Sequence, residues 1–492
     1  MSLINVKNLT FYYDGSHQLI FDNVSFQIDT RWRLGLTGRN GRGKTTLCRL
    51  LMGQLDYEGE ISAPMKFDYF PYPVKAPERE TDCILSEICP EAQPWEIERE
   101  LALLQIDAEV LARPFASLSH GERSKLLLAA LFLKDSGFLL IDEPTNHLDM
   151  AGRRLMSRYL SGKEGFLLIS HDRAFLDGCV DHILAINRSS IQIQKGTFSA
   201  WFYNRQLQDA REEAENEKLR REIRRLEKTA REKADWSDRV EKTKYASSNS
   251  GIRPDRGYIG HQSAKMMGRA KAIEKRRQTA VEEKSGLLKE RERALPLKLT
   301  PLRYRSQRLI TCRDVSIRYP GGRELGPVSF SLDRGERLAL QGKNGCGKSS
   351  LLKLLCGEAL SCTGQLEIPG DLIVSHIPQG TESLGGTLRA YAAEAQLDEG
   401  LFKTILHYLG FEPESHERDM RGFSEGQKKK VLLARSLCTP AHLYIWDEPL
   451  NYIDVISRMQ IEKLLEDYAP TMIFVEHDAA FSQKIATRTI EL

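Results

Sequence analysis

Gly38-Arg39-Asn40-Gly41-Arg42-Gly43-Lys44-Thr45 and Gly342-Lys343-Asn344-Gly345-Cys346-Gly347-Lys348-Ser349 both fit GxxxxGK[ST], the pattern of a phosphate-binding loop. Apolar runs, Leu34-Gly35-Leu36-Thr37 and Leu338-Ala339-Leu340, lead into them. Helices are expected from about Lys44 and Lys348. In such a strand–turn–helix unit, backbone N–H groups and the helix N-terminus face the phosphates. Lys44 and Lys348 are then placed to reach the terminal phosphates of a nucleoside triphosphate. Thr45 and Ser349 are placed to put a hydroxyl on Mg²⁺, with the hydroxyls of Thr46 and Ser350 following.

The repeat extends well beyond the loop. From the loop lysine to a later Ser-x-Gly is 75 residues in the first half (Lys44 to Ser119) and 76 in the second (Lys348 to Ser424). From that serine to the glutamate of an acidic pair is 24 residues in both halves. From the glutamate to a histidine is 28 residues in one and 29 in the other. One such loop is a moderate signal; this ordered set, twice, is a duplicated ATPase unit. Phe138-Leu139-Leu140-Ile141-Asp142-Glu143 and Leu443-Tyr444-Ile445-Trp446-Asp447-Glu448 read as buried strands ending in two carboxylates. Asp142 and Asp447 are placed to hold Mg²⁺. Glu143 and Glu448 are placed to polarise the attacking water. Alone, a strand-end Asp-Glu reads as a solvated turn, and a lone His as structural. In register with the loop, His171 (Ile-Ser-His-Asp) and His477 (Val-Glu-His-Asp) read as sensors of the γ-phosphate.

The bulk composition narrows the class. The 492 residues are 41% hydrophobic and 28% charged, with a mean hydropathy of −0.41, as in an ordinary soluble protein of two or more domains. The most conspicuous apolar run, Leu126 to Leu133, is far below the roughly 18 residues a spanning helix needs. The N-terminus lacks a basic start and an apolar core, so no secretory signal is expected. Nine scattered cysteines without a CxxC argue for reduced thiols in the cytoplasm.

Between the repeats the pattern changes. Residues 207–244 are rich in Glu, Lys, Arg and Ala, with no Pro or Gly, and Leu219, Ile223, Leu226 and Ala230 follow a 4-3-4 seam. A second helical stretch is expected over about 263–294, after a breaker cluster at 247–254. The reading is a helical hairpin of about 35 residues per arm, with roughly 50 Å of reach. Eleven basic against three acidic residues give the segment from Arg239 to Arg277 a net charge of +8, while its flanks are neutral. A basic tip on a long stalk suits phosphate-rich nucleic acid, and its flat side chains suit stacking on unpaired RNA bases. The candidate RNA-contacting residues are Lys242, Lys244, Tyr245, Arg253, Arg256, Tyr258, His261, Lys265 and Arg269. A plain soluble spacer is the alternative, but a spacer has little reason to segregate its charge.

On these motifs the chain resembles the ATP-binding-cassette superfamily. Leu118-Ser119-His120-Gly121-Glu122 and Phe423-Ser424-Glu425-Gly426-Gln427 are similar to its LSGGQ signature, and Asn146-His147-Leu148-Asp149 to its D-loop. Tyr13 and Tyr319 fall where the family stacks an aromatic on adenine. The resemblance implies an α/β fold of two P-loop cassettes, at 1–205 and 304–492, joined by the helical linker 206–303. It also implies head-to-tail pairing. One site would combine Lys44, Asp142, Glu143 and His171 with Ser424, Gly426 and Gln427. The other would combine Lys348, Asp447, Glu448 and His477 with Ser119, Gly121 and Glu122. The two halves differ: Gln379 stands at the family's Q-loop position in the second, Tyr72 in the first. The second D-loop, Leu450-Asn451-Tyr452-Ile453-Asp454, also departs from the first.

Tandem cassettes with a long helical linker resemble the ABC-F family, and within it the Lsa/Vga-like resistance branch. The resemblance implies a cytoplasmic, monomeric Mg²⁺-dependent ATPase bound to the exit-site region of the 70S ribosome. Its linker tip would approach 23S rRNA and P-site tRNA to displace a lincosamide, pleuromutilin or streptogramin A. The chain ends 15 residues after His477, so no C-terminal nucleic-acid-binding extension is expected. Rival readings are a housekeeping ABC-F translation factor, the ATPase subunit of a transporter, and a DNA-associated ATPase.

Overall fold

The computed structural model describes residues 2–13, 19–134, 137–146, 148–187, 190–243, 297–319, 324–411 and 416–492. The chain forms two compact units, one of Met1–Trp201 with Ala294–Leu492, the other Phe202–Arg293.

In the first half, β1 (Leu3–Tyr12), β2 (Leu19–Asp29) and β4 (Glu58–Ser62) make an antiparallel sheet in the order β2-β1-β4. A second sheet has the order β5-β6-β7-β3-β8-β9, from β3 (Arg33–Thr37), β5 (Lys66–Phe70), β6 (Gly137–Asp142), β7 (Phe166–Ile169), β8 (His182–Ile186) and β9 (Ile191–Lys195). It is parallel except for the last pair. The second half repeats the plan. β10 (Arg308–Arg318), β11 (Glu324–Asp333) and β13 (Cys362–Glu367) form the antiparallel sheet. β12 (Arg337–Gln341), β14 (Val374–Ile377), β15 (Leu443–Asp447), β16 (Met472–Val475) and β17 (Arg488–Glu491) form a parallel one, in the order β14-β15-β16-β12-β17.

The central strands β6, β7, β15 and β16 are apolar along almost their whole length because both faces are covered. In the second half, Leu443, Ile445, Ile473 and Val475 face one core with the helix Lys348–Leu355 and the antiparallel sheet. Their alternates Tyr444, Trp446, Met472 and Phe474 face the other core with Leu388, Phe402 and Val431. The period of two thus divides each strand between two cores.

The helices are α1 (Lys44–Leu51), α2 (Thr81–Ile88), α3 (Pro94–Leu103), α4 (His120–Leu133), α5 (Met150–Ser161), α6 (Arg173–Cys179) and α7 (Phe198–Thr243) in the first half and the following segment. The second cassette adds α8 (Lys348–Leu355), α9 (Leu388–Glu394), α10 (Glu399–Tyr408), α11 (Glu425–Cys438), α12 (Val455–Tyr468) and α13 (Ala479–Ile485). Helix α7 begins eight residues before the expected linker start at 206 and runs for 46 residues. Residues 297–303, read as linker from composition, pack with the second cassette: Leu297 and Leu299 are buried in its core and Leu302 N donates to Ala441 O. The expected second arm of the hairpin and all tip residues except Lys242, which lies in α7, fall outside the described residues. Among the described residues, no helix is long and apolar enough to cross a membrane.

Candidate nucleotide sites

Each phosphate-loop helix starts at a left-handed glycine, Gly43 (φ 84°) before α1 and Gly347 (φ 98°) before α8. A Cβ at Gly43 would lie 2.6 Å from Ile20 Cγ2, and one at Gly347 2.4 Å from Leu325 Cδ2, so both conformation and space demand glycine. Lys44 Nζ donates to Gly38 O at 2.8 Å, Arg39 O at 3.2 Å and Asn40 Oδ1 at 3.2 Å. Lys348 Nζ likewise donates to Gly342 O (2.9 Å) and Lys343 O (3.0 Å), with Cys346 Sγ 4.0 Å away. Each ammonium is held over its own loop, poised where an anion would compete with those carbonyls.

The Lys44 cleft, about 470 Å³, is lined by Tyr13, Asn40, Gly41, Gly43, Lys44, Thr45, Thr46, Asp142, Glu143 and His171. Its opposite wall comes from the second cassette: Ser424, Gly426, Gln427, Lys430, Tyr452 and the Gly410-Phe411 turn. Asn40 Nδ2 donates to Tyr452 O across the junction at 2.9 Å, and Arg39 Nη2 to Tyr408 O at 3.3 Å. The Lys348 cleft, about 650 Å³, joins Tyr319, Asn344, Gly345, Gly347, Lys348, Ser349, Ser350, Gln379, Glu448, Asn451 and His477 to Ser119, His120, Gly121, Glu122, Lys125 and Asp149 of the first cassette. Tyr13 Oη bonds Thr46 Oγ1 (2.9 Å), and Tyr319 donates to Ser350 Oγ.

The signature serines reach these walls as helix caps. Ser119 Oγ accepts from Glu122 N at 3.2 Å while Glu122 Oε2 accepts from Ser119 N at 2.8 Å. Ser424 Oγ and Gln427 Oε1 repeat the exchange at 3.3 and 3.0 Å. This capping box starts α4 and α11 with their N-termini in the clefts, the favourable end for an anion.

Of the residues chosen from sequence, Gly38, Arg39, Arg42, Gly342, Lys343, Cys346 and Asp447 are not on the cleft walls. Gly38, Arg39, Gly342 and Lys343 stand behind them as the carbonyls that hold the two lysines. Asp447 is buried, and its Oδ1 has no hydrogen-bond partner. Tyr72 also lies off the wall. His147 falls outside the described residues.

Other residues were missed. Arg153 and Arg458, four residues past Asp149 and Asp454, are buried; their Nε groups donate to Leu148 O (3.2 Å) and Ile453 O (2.9 Å). Their Nη1 groups pair with Asp172 (3.0 Å) and Asp478 (3.2 Å), the residues after the two histidines. Each arginine thus ties a D-loop to the histidine turn, and aligning the two halves would have found the pair. Tyr69, which donates to Asp142 Oδ2 at 2.9 Å, had no such signal.

The two glutamates share a backbone but not an environment. Glu143 (φ 50°) and Glu448 (φ 47°) both sit in the left-handed region, a strained placement for a non-glycine residue that is typical of functional sites. Glu143 is held up at about 8 by burial and by the neighbouring Asp142. Its Oε1 has no hydrogen-bond partner, and His171 Nε2 stands 3.5 Å away. Burial opposes ionisation of Glu448 too. There the His477 and Gln379 hydrogen bonds and nearby cations prevail and pull it down to about 2. Its donors are Gln379 Nε2 (3.0 Å) and Asn451 Nδ2 (2.6 Å), with His477 Nε2 at 3.3 Å. Burial and Lys44 hold the His171 imidazole low, hence neutral near pH 7.

Orphaned carboxylate oxygens at Glu143 and Asp447, hydroxyls at Thr45 and Ser349, and lysines whose hydrogen bonds go to their own phosphate loops fit a Mg²⁺–triphosphate. The family model described as "ABC transporter" matches residues 21–146 and 325–451, together just over half of the chain. The chain belongs to the ATP-binding-cassette family. As such it is an ATP-hydrolysing enzyme that uses ATP with Mg²⁺. ATP-binding protein Uup of Caulobacter vibrioides is 29% identical over 97% of this chain and 75% of its own length. Ribosome protection protein VmlR of Bacillus subtilis is 24% identical over 98% of this chain and 85% of its own. An archaeal ribosome recycling factor, solved in complex with an archaeal ribosomal stalk protein, shares the fold with a TM-score of 0.62 at 20% identity, over 98% of this chain and 87% of its own. Tandem cassettes and the likeness to Uup and VmlR support a place for this ATP-binding-cassette protein among the ABC-F proteins.

Proposed function

We propose that this protein is an ABC-F clamp that binds the 70S ribosome with ATP and protects it from drugs acting at the peptidyl-transferase centre. The observation that carries the clamp is the composite cleft: each phosphate loop faces the signature helix of the other cassette. ATP bound there joins both cassettes, and loss of the γ-phosphate removes the bridge, a two-state device. Lys44 and Lys348 bind the terminal phosphates, and Ser424 and Ser119 cap them from across the junction. Asp142 and Asp447, with Thr45 and Ser349, would hold Mg²⁺, which supplies charge stabilisation of the transferring phosphoryl group. Glu143 and Glu448 orient and deprotonate the attacking water, and His171 and His477 contact the γ-phosphate.

The ribosomal partner is supported by the name of VmlR and by its likeness across 98% of the chain, linker included. The basic segment 239–277 supplies the surface for rRNA and P-site tRNA near the exit site. Drug displacement from the lincosamide, pleuromutilin and streptogramin A sites follows from its insertion. The likeness to Uup favours one second reading, a translation factor without drug protection.

The test is sedimentation of the Glu143→Gln/Glu448→Gln variant with ATP and cell lysate through a sucrose gradient. Co-migration with 70S particles is expected. Migration with membranes, or alone, would overturn the ribosomal reading. Drug sensitivity of a deletion strain then separates protection from a housekeeping role.

A further inference from the structure

Asp142 Oδ2 receives two side-chain donors, Thr45 Oγ1 at 3.0 Å and Tyr69 Oη at 2.9 Å. Thr45 belongs to the phosphate loop and is expected at that place. Tyr69 is not. It comes from β5, the edge strand beside β6, where it pairs with Leu140, two residues before Asp142. In the second half His376 pairs with Ile445, two residues before Asp447, so Tyr69 and His376 hold the same place in the fold. Among the described residues His376 makes no hydrogen bond to Asp447, whose Oδ1 is without a partner.

The two clefts therefore differ in the side chains around their carboxylate pairs. In the Lys348 cleft, Gln379 lies within 3.5 Å of Ser349 Oγ and donates to Glu448 at 3.0 Å, linking the loop hydroxyl to the carboxylate pair. The Lys44 cleft has no such amide: Tyr72 stands in its place and does not reach the wall. A phenol from the neighbouring strand contacts the carboxylate instead.

We propose that Tyr69 is a positioning residue for the metal-bearing carboxylate of the Lys44 cleft, a role that no side chain from the matching strand position fills in the Lys348 cleft. This rests on the reading of Asp142 as a Mg²⁺ ligand. A phenol has one proton to give, so it fixes one carboxylate oxygen and leaves the other free for a cation. Partners of this kind orient a carboxylate ligand, and their loss typically costs about 10–100-fold in metal affinity.

The experiment titrates the full-length protein with Mn²⁺ in the presence of a non-hydrolysable ATP analogue, read by electron paramagnetic resonance. Asp142→Asn and Asp447→Asn assign the bound ions to their clefts. Tyr69→Phe is expected to weaken the ion that Asp142→Asn removes, by roughly tenfold or more, and to leave the other at wild-type affinity. Tyr69→His, which installs the residue of the second half, is expected to do the same. Metal-free binding of a fluorescent ATP analogue to both variants should match wild type. If Asp142→Asn leaves both ions bound, the ligand reading itself fails and the proposal with it. If Asp142→Asn removes one ion and Tyr69→Phe changes neither, the proposal alone is overturned. Equal weakening at both clefts overturns it as well, since that marks a general structural effect.

Discussion

At the residue scale, the two glutamates separate the clefts. Glu448 is ionised and held by side-chain donors before any nucleotide arrives, whereas Glu143 is not. Donors fixed in advance hold the Glu448 carboxylate ionised and oriented with no rearrangement at the moment of reaction. Glu448→Gln is therefore expected to remove the larger share of steady-state ATP hydrolysis at pH 7, and Glu143→Gln the smaller. Each should cut turnover at its own cleft by on the order of 10²-fold or more. Single-turnover hydrolysis with each variant checks this; equal losses would show that bound nucleotide erases the difference.

At the element scale, helix ends and helix pairs do most of the placing. Ser424→Ala removes the cap of α11, at a cost of about 1 kcal/mol. Because that cap faces Lys44, nucleotide affinity should fall at the Lys44 cleft and not at the Lys348 cleft; nucleotide titrations with one cleft disabled report which. Helix α3 is tied to α5 through Glu100, which is 1% exposed, accepts a hydrogen bond from Tyr159 Oη and pairs with Lys163 at 2.7 Å. Burial alone would raise its pKa, but the Lys163 and Tyr159 hydrogen bonds outweigh it and hold it below 4.5. A carboxyl lowered by folding stabilises the fold above its unfolded pKa of 4.5, and the contribution is lost as pH falls from there through the lower folded pKa. Glu100→Ala is expected to cost about 3 kcal/mol near pH 7. Glu100→Gln should shrink the difference in melting temperature between pH 7 and pH 4. An unchanged difference would remove Glu100 from the acid response.

At the scale of the whole molecule, the cassettes are joined unequally. Arg173, next to the first histidine turn, pairs with Glu462 of α12, which is fully buried and also lies 3.6 Å from Lys484. The equivalent positions in the other direction are Ala479 and Ser157, which form no ion pair. Stripping Arg173 leaves the buried Glu462 with the partly exposed Lys484 as its remaining cation, at a cost of up to about 3 kcal/mol. Arg173→Ala should therefore widen the cassette-to-cassette distance distribution in the nucleotide-free protein, measured by single-molecule energy transfer. Arg173→Ala/Glu462→Gln should restore part of it. At the same scale, deleting 247–262 is expected to spare ATP hydrolysis and abolish drug protection. Survival of protection would move the function elsewhere in the chain.

The sequence alone determined the cassettes. Loop glycines, continuous apolar strands ending in Asp-Glu, and Ser-x-x-Glu or Ser-x-x-Gln caps are local codes, each satisfied within a few residues of itself. Duplication made them unambiguous. Head-to-tail pairing was available only as a family resemblance, because no local pattern says that Asn40 meets Tyr452 412 residues later. Tertiary structure decided that contact, the one-sided Arg173–Glu462 pair and the opposite charge states of two glutamates that share an Asp-Glu-Pro run. It also decided Tyr69, an ordinary aromatic in an edge strand until the sheet register sets it beside Asp142. Hydrogen-bond partners and desolvation come from whatever packs alongside, and packing is a property of the assembled sheets and helices rather than of any stretch of chain.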